Sequence, residues 1–177
     1  SSSSAASDVY KRQATRRAAE GPDETGVMTL YRRFLFPLLT KIDAERAHDL
    51  TVRLLEDAQG TAGGRFLLRR VAGRLPKRPL RVFGLDFPNE LGAAAGYDKN
   101  GQAALGLALL GFGHVEVGTV TPWAQKGNPR PRIFRLTEEQ ALINRMGFPN
   151  EGMARVTSRL RRITELREES GAHFILG

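Results

Sequence analysis

After Pro79 the chain changes period, and that change restricts its fold more than any other feature. Short apolar runs at residues 90–96, 114–120 and 172–176 alternate with helical stripes at 102–110 and 151–170. The runs are rich in Ala, Val and Gly, as strands buried on both faces are. The second stripe sets Val156, Leu160, Ile163 and Leu166 on one side and Arg155, Arg159, Arg161, Arg162 and Arg167 elsewhere. Gly111 and Gly171 are placed to end the two helices. Strand, helix, strand, helix, strand predicts an α/β fold with a parallel sheet and helices outside it. Two further strand pairs are expected, one within 80–87 turning at Gly84, the other formed by 132–136 and 141–145 around the polar 137–140 turn.

Upstream of Pro79 the pattern is helical. Leu30, Tyr31, Phe34, Leu35, Leu38 and Leu39 share one helix face, with Pro37 expected to kink or shorten that helix. Asp43 is placed to cap a second helix, which sets Ala47, Leu50, Thr51, Leu54, Leu55 and Ala58 on one side. Gly60, Gly63 and Gly64 are expected to break the pattern before a short third helix at 65–72 and a 76–79 linker. The net charge of +8 is concentrated here: residues 28–79 hold eleven basic and five acidic residues, against four and four in 1–27 and twelve and ten in 80–177. Such a segment reads as a solvated basic face or as a match for an anionic surface, lipid or nucleic acid. Its apolar faces read as packing on the next domain or as lying on a membrane surface. No run approaches the roughly 18 apolar residues of a membrane-spanning helix. Residues 1–27 show no periodicity and read as a disordered or non-native leader before Met28, which gives three segments: 1–27, 28–79 and 80–177.

The absence of cysteine excludes disulfide scaffolds, thiolate-ligated zinc and thiol catalysis. His48, His114 and His173 show no metal-ligand spacing, so no metal is expected. The run Arg159-Leu160-Arg161-Arg162 lacks interleaved aromatics and reads as a solvated helix face, so no nucleic-acid partner is expected.

Three clusters carry chemistry. Ala93-Ala94-Ala95-Gly96-Tyr97-Asp98-Lys99-Asn100-Gly101 follows a predicted strand, and its small residues let a flat ring or phosphate approach the backbone. Lys99 reads either as a cation that fixes an anionic group or as a turn lysine in solvent. Thr119, in Gly118-Thr119-Val120-Thr121-Pro122, reads either as a hydroxyl bonding a ring carbonyl or as ordinary strand filling. Asn144-Arg145-Met146-Gly147-Phe148 reads either as a reader of an imide edge or as the loop between a hairpin and a helix.

Taken together, residues 91–101 (LGAAAGYDKNG), 111–122 (GFGHVEVGTVTP), 127–136 (GNPRPRIFRL) and 142–150 (LINRMGFPN) resemble dihydroorotate dehydrogenase. Asp43-Ala44-Glu45-Arg46-Ala47-His48 resembles the front helices of its membrane-associated, quinone-dependent class. The resemblance covers residues 30–177 and implies the first part of a (β/α)8 barrel, with 28–79 as a membrane and quinone-tunnel segment. It implies FMN as cofactor, dihydroorotate oxidised to orotate in pyrimidine synthesis, and a membrane quinone as acceptor. It also implies a peripheral position on the cytoplasmic face of a bacterial inner membrane. By motif position, Ala95, Gly96, Tyr97, Asp98, Lys99 and Thr119 resemble cofactor-binding residues. Lys99, Asn144, Arg145, Met146, Gly147 and Phe148 resemble substrate-binding residues, and His48 and Arg135 resemble quinone-tunnel residues. The family's serine base follows later in its chain, so no catalytic base is assigned; it is expected beyond Gly177, and this polypeptide alone is expected to be inactive. The competing readings are a non-catalytic flavin-binding or membrane-surface module and a different FMN-barrel oxidoreductase.

Overall fold

The computed structural model describes residues 31–73, 78–136, 138–139 and 141–177. The expected leader, Met28 and Leu30 lie outside them, as do the first half of the 76–79 linker and both ends of the 137–140 turn. The chain divides into two compact units, Ser1–Ile42 and Asp43–Gly177. This division does not coincide with the expected boundary after Pro79, because the second and third helices pack on the helix between the first two parallel strands.

In the first unit a π-helical turn, Tyr31–Leu35, runs into helix α1 (Phe36–Thr40). Pro37 stands in the first turn of α1, where a missing N–H costs nothing, so the proline marks a change of helix type rather than an end. Phe34, Leu35, Phe36 and Leu38 are exposed.

The second unit opens at Asp43, whose carboxylate accepts the Glu45 and Arg46 amides and caps helix α2 (Ala44–Gln59) as expected. The buried side of α2 matches the predicted stripe only in part: Ala47 is buried and Leu55 and Ala58 pack against the core. Glu45, Ala47, Val52 and Gln59 are buried, whereas Leu50 and Leu54 are exposed. Helix α3 (Ala62–Ala72) begins three residues before the expected start. Thr61 caps it through the Gly64 amide, and Gly63 and Gly64 lie inside it rather than breaking it.

Strands β1 (Leu80–Val82) and β2 (Leu85–Phe87) form the expected antiparallel hairpin, with Phe83 and Gly84 both at positive φ in the two-residue turn. The parallel sheet is formed by β3 (Gly92–Ala93), β4 (His114–Val115) and β7 (Ile175–Leu176) in the order β3-β4-β7. Helix α4 (Ala104–Leu109) connects β3 to β4. Between β4 and β7 lie the antiparallel pair β5 (Ile133–Leu136) and β6 (Ala141–Asn144), then helix α5 (Met153–Ser170), which Gly171 ends in the left-handed conformation. This is an α/β fold, and its parallel strands are shorter than expected. Residues 94–96 and 118–120 lie beyond the ladder, whose hydrogen bonds run on to the Glu116 amide on the Ala93 carbonyl and the Val117 amide on the Gly177 carbonyl.

The core is the contact of α4 and the sheet with α5 and α3: Leu105, Val115 and Phe174 are fully buried, joined by Leu68, Ile163 and Leu166. The amide ends of α4 are held by polar side chains. Asp98 accepts the Gln102 and Ala103 amides at 2.8 Å each, and Gln59 of α2 accepts the Gly106 amide at 2.7 Å. Among the described residues, no helix is long and apolar enough to cross a membrane.

Candidate functional site

Where the two parallel strands leave the sheet, their small residues open onto a cavity of about 850 Å³. Ala95, Gly96, Tyr97 and Lys99 line it from the end of β3, and Gly118 and Thr119 from the end of β4. The position is the carboxyl edge of a parallel sheet, where α/β folds commonly bind ligands. A Cβ on Gly118 would stand 2.9 Å from the Lys99 Cα, so the two segments abut and only a glycine fits between them. Asn144, Arg145, Met146, Gly147 and Phe148 line the same cavity from the β6–α5 connection, Arg135 from β5, and His48 from α2. Thus every residue given a cofactor, substrate or quinone role by motif position lines one cavity except Asp98. That side chain is 1 % exposed, and its carboxylate is taken up by the Asn100, Gln102 and Ala103 amides, a structural position.

Lys99 Nζ donates to the Gly96 carbonyl at 2.6 Å and lies 3.4 Å from His48 Nε2. A lysine ammonium can only donate, so this contact is a hydrogen bond in the imidazole tautomer that leaves Nε2 unprotonated. Burial, and then the Lys99 charge, hold the His48 pKa below the ordinary histidine value. Burial likewise draws Lys99 below the ordinary lysine value, and the Asp49, Glu45 and Asp98 carboxylates oppose it. The His48 ring meets Tyr97 edge-on at 5.1 Å, and Tyr97 donates its hydroxyl to Thr51 Oγ1 at 3.0 Å. Thr51 in turn donates to the His48 carbonyl. The histidine is therefore held from its ring and from its own backbone. Arg145 is turned back onto the hairpin: Nη2 donates to the Pro131 carbonyl at 3.1 Å and the guanidinium lies 6.0 Å from the Phe134 ring centre.

A second, smaller chamber of about 290 Å³ shares His48, Tyr97, Lys99, Met146 and Pro149 with the first. Its other walls carry Asp49, Arg53, Arg130 and Glu151. Sequence reading missed a buried ion pair beside it. Glu45 is 5 % and Arg132 7 % exposed, and Nη2 reaches Oε1 at 2.6 Å. Both residues fall inside motifs quoted above, but they are 87 positions apart, and nothing in either motif marks one as the other's partner. The Arg132 hydrogen bond is the largest cause holding Glu45 below the usual carboxylate range. Among the described residues, no group of His, Asp and Glu could hold a metal ion.

Fold and site together define an α/β protein with a ligand cavity at the carboxyl ends of its parallel strands. The family model described as dihydroorotate dehydrogenase matches residues 79–175, and the chain belongs to that family. It is 50% identical over 133 residues to a dihydroorotate dehydrogenase (quinone) of Thermobifida fusca, a match covering 75% of this chain and 35% of the relative. It is 56% identical over 123 residues to a protein of the same name from Burkholderia thailandensis, covering 67% and 34%. The chain thus spans about a third of the length of these curated relatives. Among solved structures it is similar to DHODH of Eimeria tenella in complex with ferulenol (38% identity, TM-score 0.59, 76% of this chain and 35% of that one). The ligand-free form of that protein gives 40% identity and a TM-score of 0.53, covering 64% and 35%.

Proposed function

We propose that the protein carrying this chain oxidises dihydroorotate to orotate, with FMN as cofactor and a membrane quinone as electron acceptor, in pyrimidine synthesis. The observation that carries the reading is the convergence on one cavity of segments far apart in sequence: 95–99, 119, 135, 144–148 and His48. Dihydroorotate becomes orotate by losing a hydride and a proton as a ring double bond forms. FMN, when bound, accepts two electrons and passes them to the quinone.

The residues fit such a group. Ala95, Gly96 and Gly118 give a floor without bulky side chains, on which a flat ring can lie against backbone. Thr119 and Asn144 supply donors and acceptors of the kind an imide edge needs. Lys99 supplies the cation. Its ammonium is partly stripped of water, so a substrate carboxylate beside it gains more than one beside a solvated lysine. Asn144 reads the substrate ring, and the turn at Gly147, φ +72°, supports the loop in which the other lining groups sit. His48 and Arg135 line the side reached by the quinone. In this reading residues 80–177 are the first part of a (β/α)8 barrel, and 28–79 form a segment lying on the cytoplasmic face of a bacterial inner membrane. The exposed Phe34, Leu35, Phe36 and Leu38 support that placement.

The test is turnover of dihydroorotate with a soluble quinone, followed by orotate absorbance, with the flavin spectrum recorded on the same sample. Lys99→Ala and Asn144→Ala are expected to lower kcat/KM by about 100-fold or more. Flavin retention without orotate formation would move the reading to a flavin-binding module, and turnover untouched by both substitutions would overturn it.

A further inference from the structure

We infer that Glu45 and Arg132 are positioning residues, whose buried pair sets the loop of residues 144–148 at a fixed distance from helix α2. This inference rests on the function proposed above and adds to it a mechanical link between the substrate and quinone sides of one cavity.

The link can be followed atom by atom. Glu45 stands one turn before His48 on α2. Its Oε1 accepts Arg132 Nη2 at 2.6 Å and Nε at 3.0 Å, and its Oε2 accepts Nε at 3.2 Å, so the guanidinium fork is held by one carboxylate. The remaining nitrogen, Nη1, donates to the Lys126 and Asn128 carbonyls at 2.6 and 3.1 Å. Asn128 then holds the site loop, its amide donating to the Met146 carbonyl at 2.9 Å and its Nδ2 to the Arg145 carbonyl at 2.7 Å. The Arg145 amide closes the circuit on the Arg132 carbonyl at 2.8 Å. There is no slack in this path: a Cβ on Gly147 would stand 2.9 Å from the Asn128 amide nitrogen. Arg130, largely exposed, adds an outer contact to Glu45 at 3.0 Å and to Asp49 at 3.5 Å.

A buried pair of this kind is a poor way to gain stability, since desolvation consumes most of its attraction. It is a good way to fix geometry, because an arginine satisfied on one carboxylate and two carbonyls has a single orientation. Lysine at 132 would supply the charge but not the fork. Glutamine at 45 would keep the shape of the carboxylate while leaving the guanidinium without its counter-ion.

The experiment compares Glu45→Gln, Arg132→Lys and the double variant with the parent protein. The wild-type rate with dihydroorotate and quinone reports on the proposed function; ratios of variant to wild type report on the link. Each single variant is expected to raise KM for dihydroorotate and for quinone together by tenfold or more, with kcat changed less. The double variant should be no worse than either single, as partners in one interaction are. His48→Ala, by contrast, should raise KM for quinone alone. Hydrogen exchange supplies a readout independent of turnover. The Asn128 and Arg145 amides should exchange at least tenfold faster in Glu45→Gln, while the core amide of Ile175 keeps its protection. A merely structural pair would lower the amount of folded protein and leave both KM values and the two amides unchanged, and that result overturns the inference.

Discussion

Lys99 carries a charge in a place where water reaches it poorly, with the neutral His48 ring 3.4 Å away. Its folded pKa is depressed, so the stability tied to it is complete only above the unfolded lysine pKa and is lost as pH falls through the folded one. Lys99→Met is therefore expected to raise the thermal midpoint while abolishing orotate binding, a gain in stability bought with function. A midpoint that falls, with binding retained, would contradict this. Glu45 shows the same sign from a different cause. Its folded pKa lies below the usual carboxylate range, so its contribution is complete above the unfolded value of about 4.3 and disappears as pH falls through the folded one. Thermal melts of wild type and Glu45→Gln should differ most above that unfolded value and converge as pH falls below it. At this scale the sequence showed which side chains have the right chemistry, and it placed Lys99 and Asn144 in motifs. It also offered Asp98 as a ligand residue, because a carboxylate beside a reactive lysine looks the same whether it faces a cavity or caps a helix.

Helix α2 is held at its start by Asp43, and removing that acceptor with Asp43→Ala should cost about 1 kcal/mol. For a chain of this size that is about 2–4 °C in the midpoint of a thermal melt. Gly64→Ala sets two effects against each other. Alanine favours the helix by about 1 kcal/mol. The added Cβ, however, would lie 2.1 Å from the Ala58 carbonyl oxygen, and backbone cannot yield as a side chain can. The clash wins, and Gly64→Ala should destabilise more than Asp43→Ala does, as paired melts would show. This is also where sequence reading failed in a definite way. Gly63 and Gly64 looked like breakers because their low propensity was visible, while the close approach of Ala58 that requires Gly64 was not. The caps at Asp43 and Gly171 and the turn at Gly84 were legible because each depends on residues within a few positions. The strands were read too long for the opposite reason. Residues 94–96 and 118–120 have strand composition, yet Ala95, Gly96, Gly118 and Thr119 line the cavity instead.

On the scale of the whole molecule, the stretch that holds the positive charge excess, residues 28–79, also holds half of the exposed large apolar side chains among the described residues. Phe34 and Leu38 in the first unit, and Phe66, Leu67 and Val71 in the second, are each more than half exposed. Sedimentation with vesicles containing anionic lipid should capture the protein at low salt, and release it progressively as ionic strength rises past about 0.15 M. Capture insensitive to salt would remove the electrostatic part of that expectation. The two chambers that share His48, Tyr97, Lys99, Met146 and Pro149 have a calorimetric consequence. A compound filling the larger chamber covers Ile133, Leu142 and Phe148, and its binding should carry a negative change in heat capacity. One filling the smaller chamber meets Asp49, Arg53, Arg130 and Glu151, and its binding should carry a much smaller heat-capacity change. A titration repeated at two temperatures would thus tell which of the two chambers a new inhibitor occupies.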